Sequence, residues 1–205
     1  MKYRIPVKLR QLKFLCCIVL SFSILFFGTT LSATILHLTE AEKQQAYNFK
    51  ISVLLLDKIA EAESAFNPFA LHLQTYHAIG KTLRKLHVPY RYYFQHKKHH
   101  YQVMPTSKLQ AIQVLDAVLA QCTRYDVGKY QISHLKMKDF KLNPYDLLDA
   151  NTSAYWASKI LRDCYDKEGS LWKTVECYHR GSSREKLTGY TEHVYRSYVD
   201  AVYSQ

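Results

Sequence analysis

The stretch Glu63-Ser64-Ala65-Phe66-Asn67-Pro68 decides how this chain is read. Ahead of it, Ile51, Leu55, Ile59 and Ala62 recur at helical intervals. Asn67-Pro68 marks the stop, because proline cannot donate a backbone amide to a continuing helix. Glu63 therefore falls in the last turn of an apolar helix. A carboxyl there faces the negative end of the helix dipole and loses hydration of its charged form if partly buried. Both effects favour the protonated acid, the state that can hand a proton to a leaving oxygen.

A glycosidase built in the usual way needs a second carboxylate roughly 5 to 9.5 Å from the first. None stands beside Glu63. Glu61 points to another face of the helix, since neighbours on one face are three or four residues apart, and Asp57 is more than a turn away. Either a distant acid such as Asp126 folds into place or the substrate brings its own nucleophile. On Glu63-Ser64 alone, an ordinary acid at a surface helix end is the commoner reading.

Working outward, Thr39 and Glu42 have the spacing of a capping box, which starts a helix at Glu40 and carries it through to the stop at Asn67-Pro68. From Phe69 to Thr106 the chain is irregular, basic and aromatic. Tyr90 to Phe94 and Tyr101 to Met104 read as the strands of a β-hairpin around Gln95-His96-Lys97-Lys98-His99-His100. Ser107 caps a helix carrying Leu109, Ile112, Leu115, Val118 and Leu119 to about Thr123, and Asp126 to Ser133 reads as a turn and extended loop. Asn143-Pro144 breaks the chain, Asn151 caps a helix to Tyr165, and two further helices follow around Leu171 to Tyr178 and Thr191 to Tyr203. The expected fold class is mainly α (α+β), helical with one small sheet.

Lys2, Arg4, Lys8, Arg10 and Lys13 precede the apolar run Phe14 to Phe27, the arrangement of an export signal. Residues 1–36 are read as a signal peptide or signal anchor and 37–205 as one domain. Thr30-Leu31-Ser32-Ala33 offers small residues for cleavage, while Ile35 and Leu36 prolong the apolar run toward spanning length, so both fates stay open. In either case the positive-inside rule sends the domain across the membrane to a periplasmic location. The formal net charge is +11, and without the five leading basic residues it is +6, from 23 Lys and Arg against 17 Asp and Glu. That is mild and argues against nucleic acid as partner. Cys122, Cys164 and Cys177 then lie where disulfides form, as one pair and one free thiol, with the pairing open.

Two more short motifs join Glu63-Ser64 and Phe66-Asn67-Pro68: Asp126-Val127-Gly128 with Gln131-Ile132, and Tyr178-His179-Arg180-Gly181, with Tyr190 four residues before Val194. In order and separation this set resembles the soluble lytic transglycosylase family, from about Ile51 to Val199. The variant it looks most like is the group encoded with type IV secretion and conjugation systems, through Asp-Val-Gly in the second motif and Tyr-His in the third. The resemblance implies a lysozyme-like helical domain and a peptidoglycan substrate. It implies that Glu63 protonates the bond between N-acetylmuramic acid and N-acetylglucosamine. Glu63 then acts as base while the sugar's own C6 hydroxyl closes a 1,6-anhydro ring. It also implies that Ser64, Gln131, Tyr178, His179 and Tyr190 contact substrate or the catalytic acid, with no cofactor, and Tyr130 is read as a further substrate contact.

The chain departs from the family pattern at Lys129-Tyr130, where Leu-Met is usual, at Ser133, where Asn is usual, and at Arg180, where a small residue is usual. Tyr130 can stack on a sugar or narrow the cleft. Arg180 is either solvated or paired with a peptide-stem carboxylate. Two rival functions are a goose-type muramidase that hydrolyses with water and a non-catalytic wall-binding module; secretion-system components, and the membrane if the leading segment is retained, are further expected partners. His96, His99 and His100 beside Lys97 and Lys98 read as a solvated hairpin tip in preference to a metal site. Cys177 and His179 point apart on a helix and do not make a nucleophile pair.

Overall fold

Thr39 opens the first helix as expected: its hydroxyl accepts the Glu42 amide while the Glu42 carboxylate takes the Thr39 amide. The computed structural model describes residues 36–181 and 188–204. The signal or anchor expectation for residues 1–36 falls almost wholly outside them. The helix from Thr39 does not run to Pro68. It stops as α1 (Glu40–Asn48), Lys50 turns at φ 54°, and Ser52 caps a second helix, α2 (Val53–Ser64), by accepting the Leu55 amide. The break lets α1 turn Glu42 and Ala46 inward while α2 independently buries Leu55, Leu56, Ile59 and Ala60.

The 71–75 segment is a strand, not irregular chain. Leu71-His72-Leu73-Gln74 alternates strictly, and β1 (Leu71–Thr75) puts its leucines in the core. After a short helix α3 (Gly80–Lys85) come β2 (Tyr90–Gln95) and β3 (Lys98–Val103). Their two-residue turn His96-Lys97 has positive φ at both positions, the mirror-type turn that matches strand twist. Helix α4 (Lys108–Val118), capped by Ser107, is shorter than expected. At Cys122 the chain becomes β4 (Cys122–Val127), and β5 (Ile132–Ser133) follows. The hairpin is thus one edge of a five-stranded antiparallel sheet in the order β2-β3-β1-β4-β5.

The remainder is helical: α5 (His134–Phe140), α6 (Ala150–Glu168), α7 (Leu171–Arg180) and α8 (Gly189–Tyr203). Asp149, two residues before the expected Asn151, caps α6 by accepting the Thr152 amide. The fold class is mainly α with a small sheet. One core joins Leu56 and Ile59 of α2, Leu73 and Val103 of the sheet, Val114 of α4, Ala157 and Leu161 of α6 and Val175 of α7. No helix among the described residues is long and apolar enough to cross a membrane.

The open cysteine pairing resolves as Cys164–Cys177, a bond between α6 and α7. Cys122 is the free thiol, and burial pushes its pKa up to about 11. The bridge closes a loop with a sequence separation of 13. A loop of that size contributes about 3 kcal/mol by restricting the unfolded chain. Cys164→Ser should therefore lower unfolding free energy in urea titrations by about 2–3 kcal/mol, and reductant should lower the wild type by the same amount and leave the variant unmoved.

Candidate active site

Glu63 lies on the same stripe of α2 as Leu56, Ile59 and Ala60, three or four residues apart, so the face that packs the core also carries the acid to its edge. The helix ends directly after it. Ala65 and Phe66 take left-handed backbone (φ 50° and 66°), and their amides return to Glu61 and Ala60 carbonyls. The Phe66 ring stacks on His37 at 4.3 Å, packing that holds this non-glycine cap in place. Asn67 fixes the exit: its side-chain nitrogen donates to the Pro105 carbonyl and its side-chain oxygen accepts from the Phe69 amide. The Glu63 side chain keeps 14% of its surface open, at the wall of a cleft of about 640 Å³.

The far walls come from α7, α8 and one face of the sheet. His179 Nδ1 stands 3.9 Å from Glu63 Oε1, and its ring stacks face to face on Tyr190 at 4.0 Å. The Tyr190 hydroxyl is buried beside the Glu63 carboxylate. Burial, and then the neighbouring Glu63 carboxylate, hold that phenol well above its usual pKa, so it stays protonated and available as a donor. The Tyr178 hydroxyl donates to the Tyr130 carbonyl at 2.7 Å. Burial first, then the charges of Glu63 and Asp126, raise its pKa too. Both carboxylates therefore act on one hydroxyl, and Asp126 lines the same cleft.

Gln131, Tyr178, His179 and Tyr190 gather around Glu63 in the cleft lining. Gln131 adopts φ 47°, and its side-chain nitrogen donates to the Ala70 and Gly128 carbonyls, so it buttresses the wall while lining it. Ser64 also lines the cleft, yet its hydroxyl turns inward to the Ala60 and Lys129 carbonyls. Tyr130 is a correction. It is 0% exposed, its hydroxyl donates to Glu42 Oε1 at 3.1 Å, and it is absent from the cleft wall, so it neither stacks on a sugar nor narrows the groove. Arg180 stays exposed, as the solvated reading has it, and its Nε pairs with Glu176 Oε1 at 3.1 Å on its own helix.

The loop between β4 and β5 explains why Tyr130 went inside. Gly128 has φ 86°, and a Cβ there would lie 2.3 Å from the Leu147 carbonyl oxygen, so only glycine passes. The next two side chains dive to one buried acid. Glu42 Oε1 accepts Lys129 Nζ at 2.7 Å and the Tyr130 hydroxyl, while Oε2 accepts the Thr39 amide and hydroxyl. The carbonyls of these same two residues hold Ser64 and Tyr178. Glu42 and Lys129 were missed as site supports; the capping box pointed to Glu42, but nothing local shows that a second pair of partners arrives from Lys129-Tyr130.

On the sheet face, His72 Nδ1 bridges to Asp126 Oδ2 at 3.0 Å, and His72 Nε2 meets the Tyr93 hydroxyl and His100 Nδ1 at 3.3 and 3.4 Å. Of the hairpin histidines, His96 lies in the turn, His99 stacks with Tyr92, and His100 faces His72. Among the described residues no group of three or more His, Cys, Asp or Glu side chains is placed to hold a metal ion.

Comparison with known proteins adds one finding to this geometry. No curated protein and no solved structure matches the chain. The transglycosylase SLT domain, however, matches residues 40–193, from the first residue of α1 into α8. That span takes in Glu63, the Gly128 loop, Tyr178 and Tyr190, and with it the chain belongs to the transglycosylase SLT family, lyases that act on peptidoglycan.

Proposed function

We propose that the protein cleaves the β-1,4 bond between N-acetylmuramic acid and N-acetylglucosamine, with Glu63 as the one acid and base and 1,6-anhydro-muramic acid as the new end. The observation that carries the reading is the setting of Glu63: a carboxyl at the wall of a cleft, beside the His179 ring and the Tyr190 hydroxyl. Glu63 protonates the leaving oxygen, then takes the proton of the C6 hydroxyl as that oxygen attacks C1. The C1–O4 bond breaks, the C1–O6 bond forms, and the proton count at Glu63 returns to its start. Tyr190 donates toward the carboxylate or the acetamido group, His179 and Tyr178 fix the wall behind it, and Gln131 lines the glycan path.

The site works in the periplasm, where the leading basic and apolar residues would deliver it as a cleaved or anchored protein. The Asp126-Val127-Gly128 and Tyr178-His179 motifs support local wall opening for assembly of a secretion apparatus. One observation favours a test against hydrolysis: Asp126 lies in the cleft with Glu63, where a second acid could direct water. Digestion of purified peptidoglycan followed by mass analysis separates the two. Anhydro ends are expected. Reducing ends would establish a muramidase, and no release at all would leave a wall-binding module.

A further inference from the structure

Antiparallel register lines up one cleft residue from every strand. Ser133 pairs with Asp126, Asp126 with His72, His72 with Gln102, and Gln102 with Arg91. All five line the cleft, while their strand neighbours Ile132, Val127, Leu71, Val103 and Tyr90 pack in or against the core, as the two-residue period of a strand leads one to expect. The result is an unbroken polar strip across the whole sheet. Four inter-strand spacings make it roughly 19 Å long.

The charges along the strip are unequal. Asp126 is met by His72, but Arg91, at the edge-strand end, is exposed and meets no carboxylate among the described residues. Nor does Lys136, at the first turn of α5 beyond β5, and it lines the same cleft. The sequence gives a reason for Arg91: from Ser64 to Leu115 there is no Asp or Glu, so β1, β2, β3 and their connections contain no acid to neutralise it. A free guanidinium beside a glycan groove is suited to a planar carboxylate, which it can grip with two parallel N–H donors.

We propose that this strip is a subsite for the peptide stem of the substrate, with Arg91 binding a stem carboxylate, and that the protein therefore takes peptide-bearing strands in preference to bare glycan. The inference rests on the reading of the cleft as a peptidoglycan site and adds the part of the substrate that selects. An extended stem of about five residues spans roughly 17 Å, close to the length of the strip. Gln102 lies along it to meet stem amides, and Lys136 stands at the opposite end for a second carboxylate. Arg180 is paired with Glu176 and, unlike Arg91, is not part of the cleft lining.

The test uses the full chain in a Glu63→Gln background and measures binding of soluble glycan strands with their stems and of the same strands stripped by an amidase. Stem-bearing strands should bind about tenfold more tightly, an advantage that shrinks with added salt. Arg91→Glu, with an unchanged melting temperature, should bring the two affinities within twofold, and Arg91→Lys should retain part of the difference. Equal affinity for the two ligands in the parent, no binding to either, or an undiminished preference in Arg91→Glu overturns the inference. Failure of the enzymatic reading shows separately, as absence of anhydro ends from the wild type while the binding preference persists.

Discussion

Glu63→Gln is expected to remove turnover, lowering release of anhydro-muropeptides by at least 10²- to 10⁴-fold, the range a positioned general acid supplies. The loss should be near the upper end if, as proposed, the same carboxyl serves twice, first giving the proton to the leaving oxygen and then receiving the one from C6. Glutamine matches the shape of glutamate, and the site around it is held by other residues. Ser64 is tied to the Ala60 and Lys129 carbonyls, Tyr178 to the Tyr130 carbonyl, and the His179 ring lies on Tyr190. The melting temperature and the affinity for uncut glycan should therefore stay within error of wild type. Residual cleavage within tenfold of wild type would remove Glu63 from the reaction and direct attention to Asp126, the other acid in the cleft.

The helix end that carries Glu63 was legible in the sequence because its signals are local. Helical periodicity, a proline stop and an acid one residue before the helix end all lie between Ile51 and Pro68, and α2 ends at Ser64 as they require. The sheet was harder to see. Leu71-His72-Leu73-Gln74 carries the alternation of a half-buried strand, but β1 is only five residues long and gains its stability from pairing with β3 and β4, which lie far along the chain. Cys122 and Thr123 fit the preceding helical pattern just as well, and pairing with β1 decides for strand. The polar row from Ser133 to Arg91 exists only once that register is set.

Tyr130 shows the limit most clearly. A tyrosine in a motif beside Gln131 invites a contact with sugar, and only the position of Glu42, 88 residues earlier, shows where its hydroxyl goes. Burial, together with that carboxylate, then drives the Tyr130 phenol far above its usual pKa and keeps it a donor at any ordinary pH.

Lys129→Met should destabilise the protein by about 3–5 kcal/mol, the cost of leaving a buried carboxylate without its cation. Glu42 is 0% exposed and Lys129 only 5%, so water cannot replace the lost charge without opening the core. Thr39 and the Tyr130 hydroxyl would still donate to Glu42, but three neutral donors do not balance a buried charge as an ammonium at 2.7 Å does. The effect should also reach the reaction, because the Lys129 and Tyr130 carbonyls hold Ser64 and Tyr178; kcat should fall even at temperatures where the variant is fully folded. A double-mutant cycle separates the charge from the packing. If the desolvated pair is the cause, Glu42→Gln with Lys129→Met should lose less unfolding free energy than the two single variants together, with a coupling of about 1–3 kcal/mol in urea titrations. Simple additivity would mean that the two side chains fill space independently and that Gly128, not the buried ion pair, fixes the loop behind Glu63.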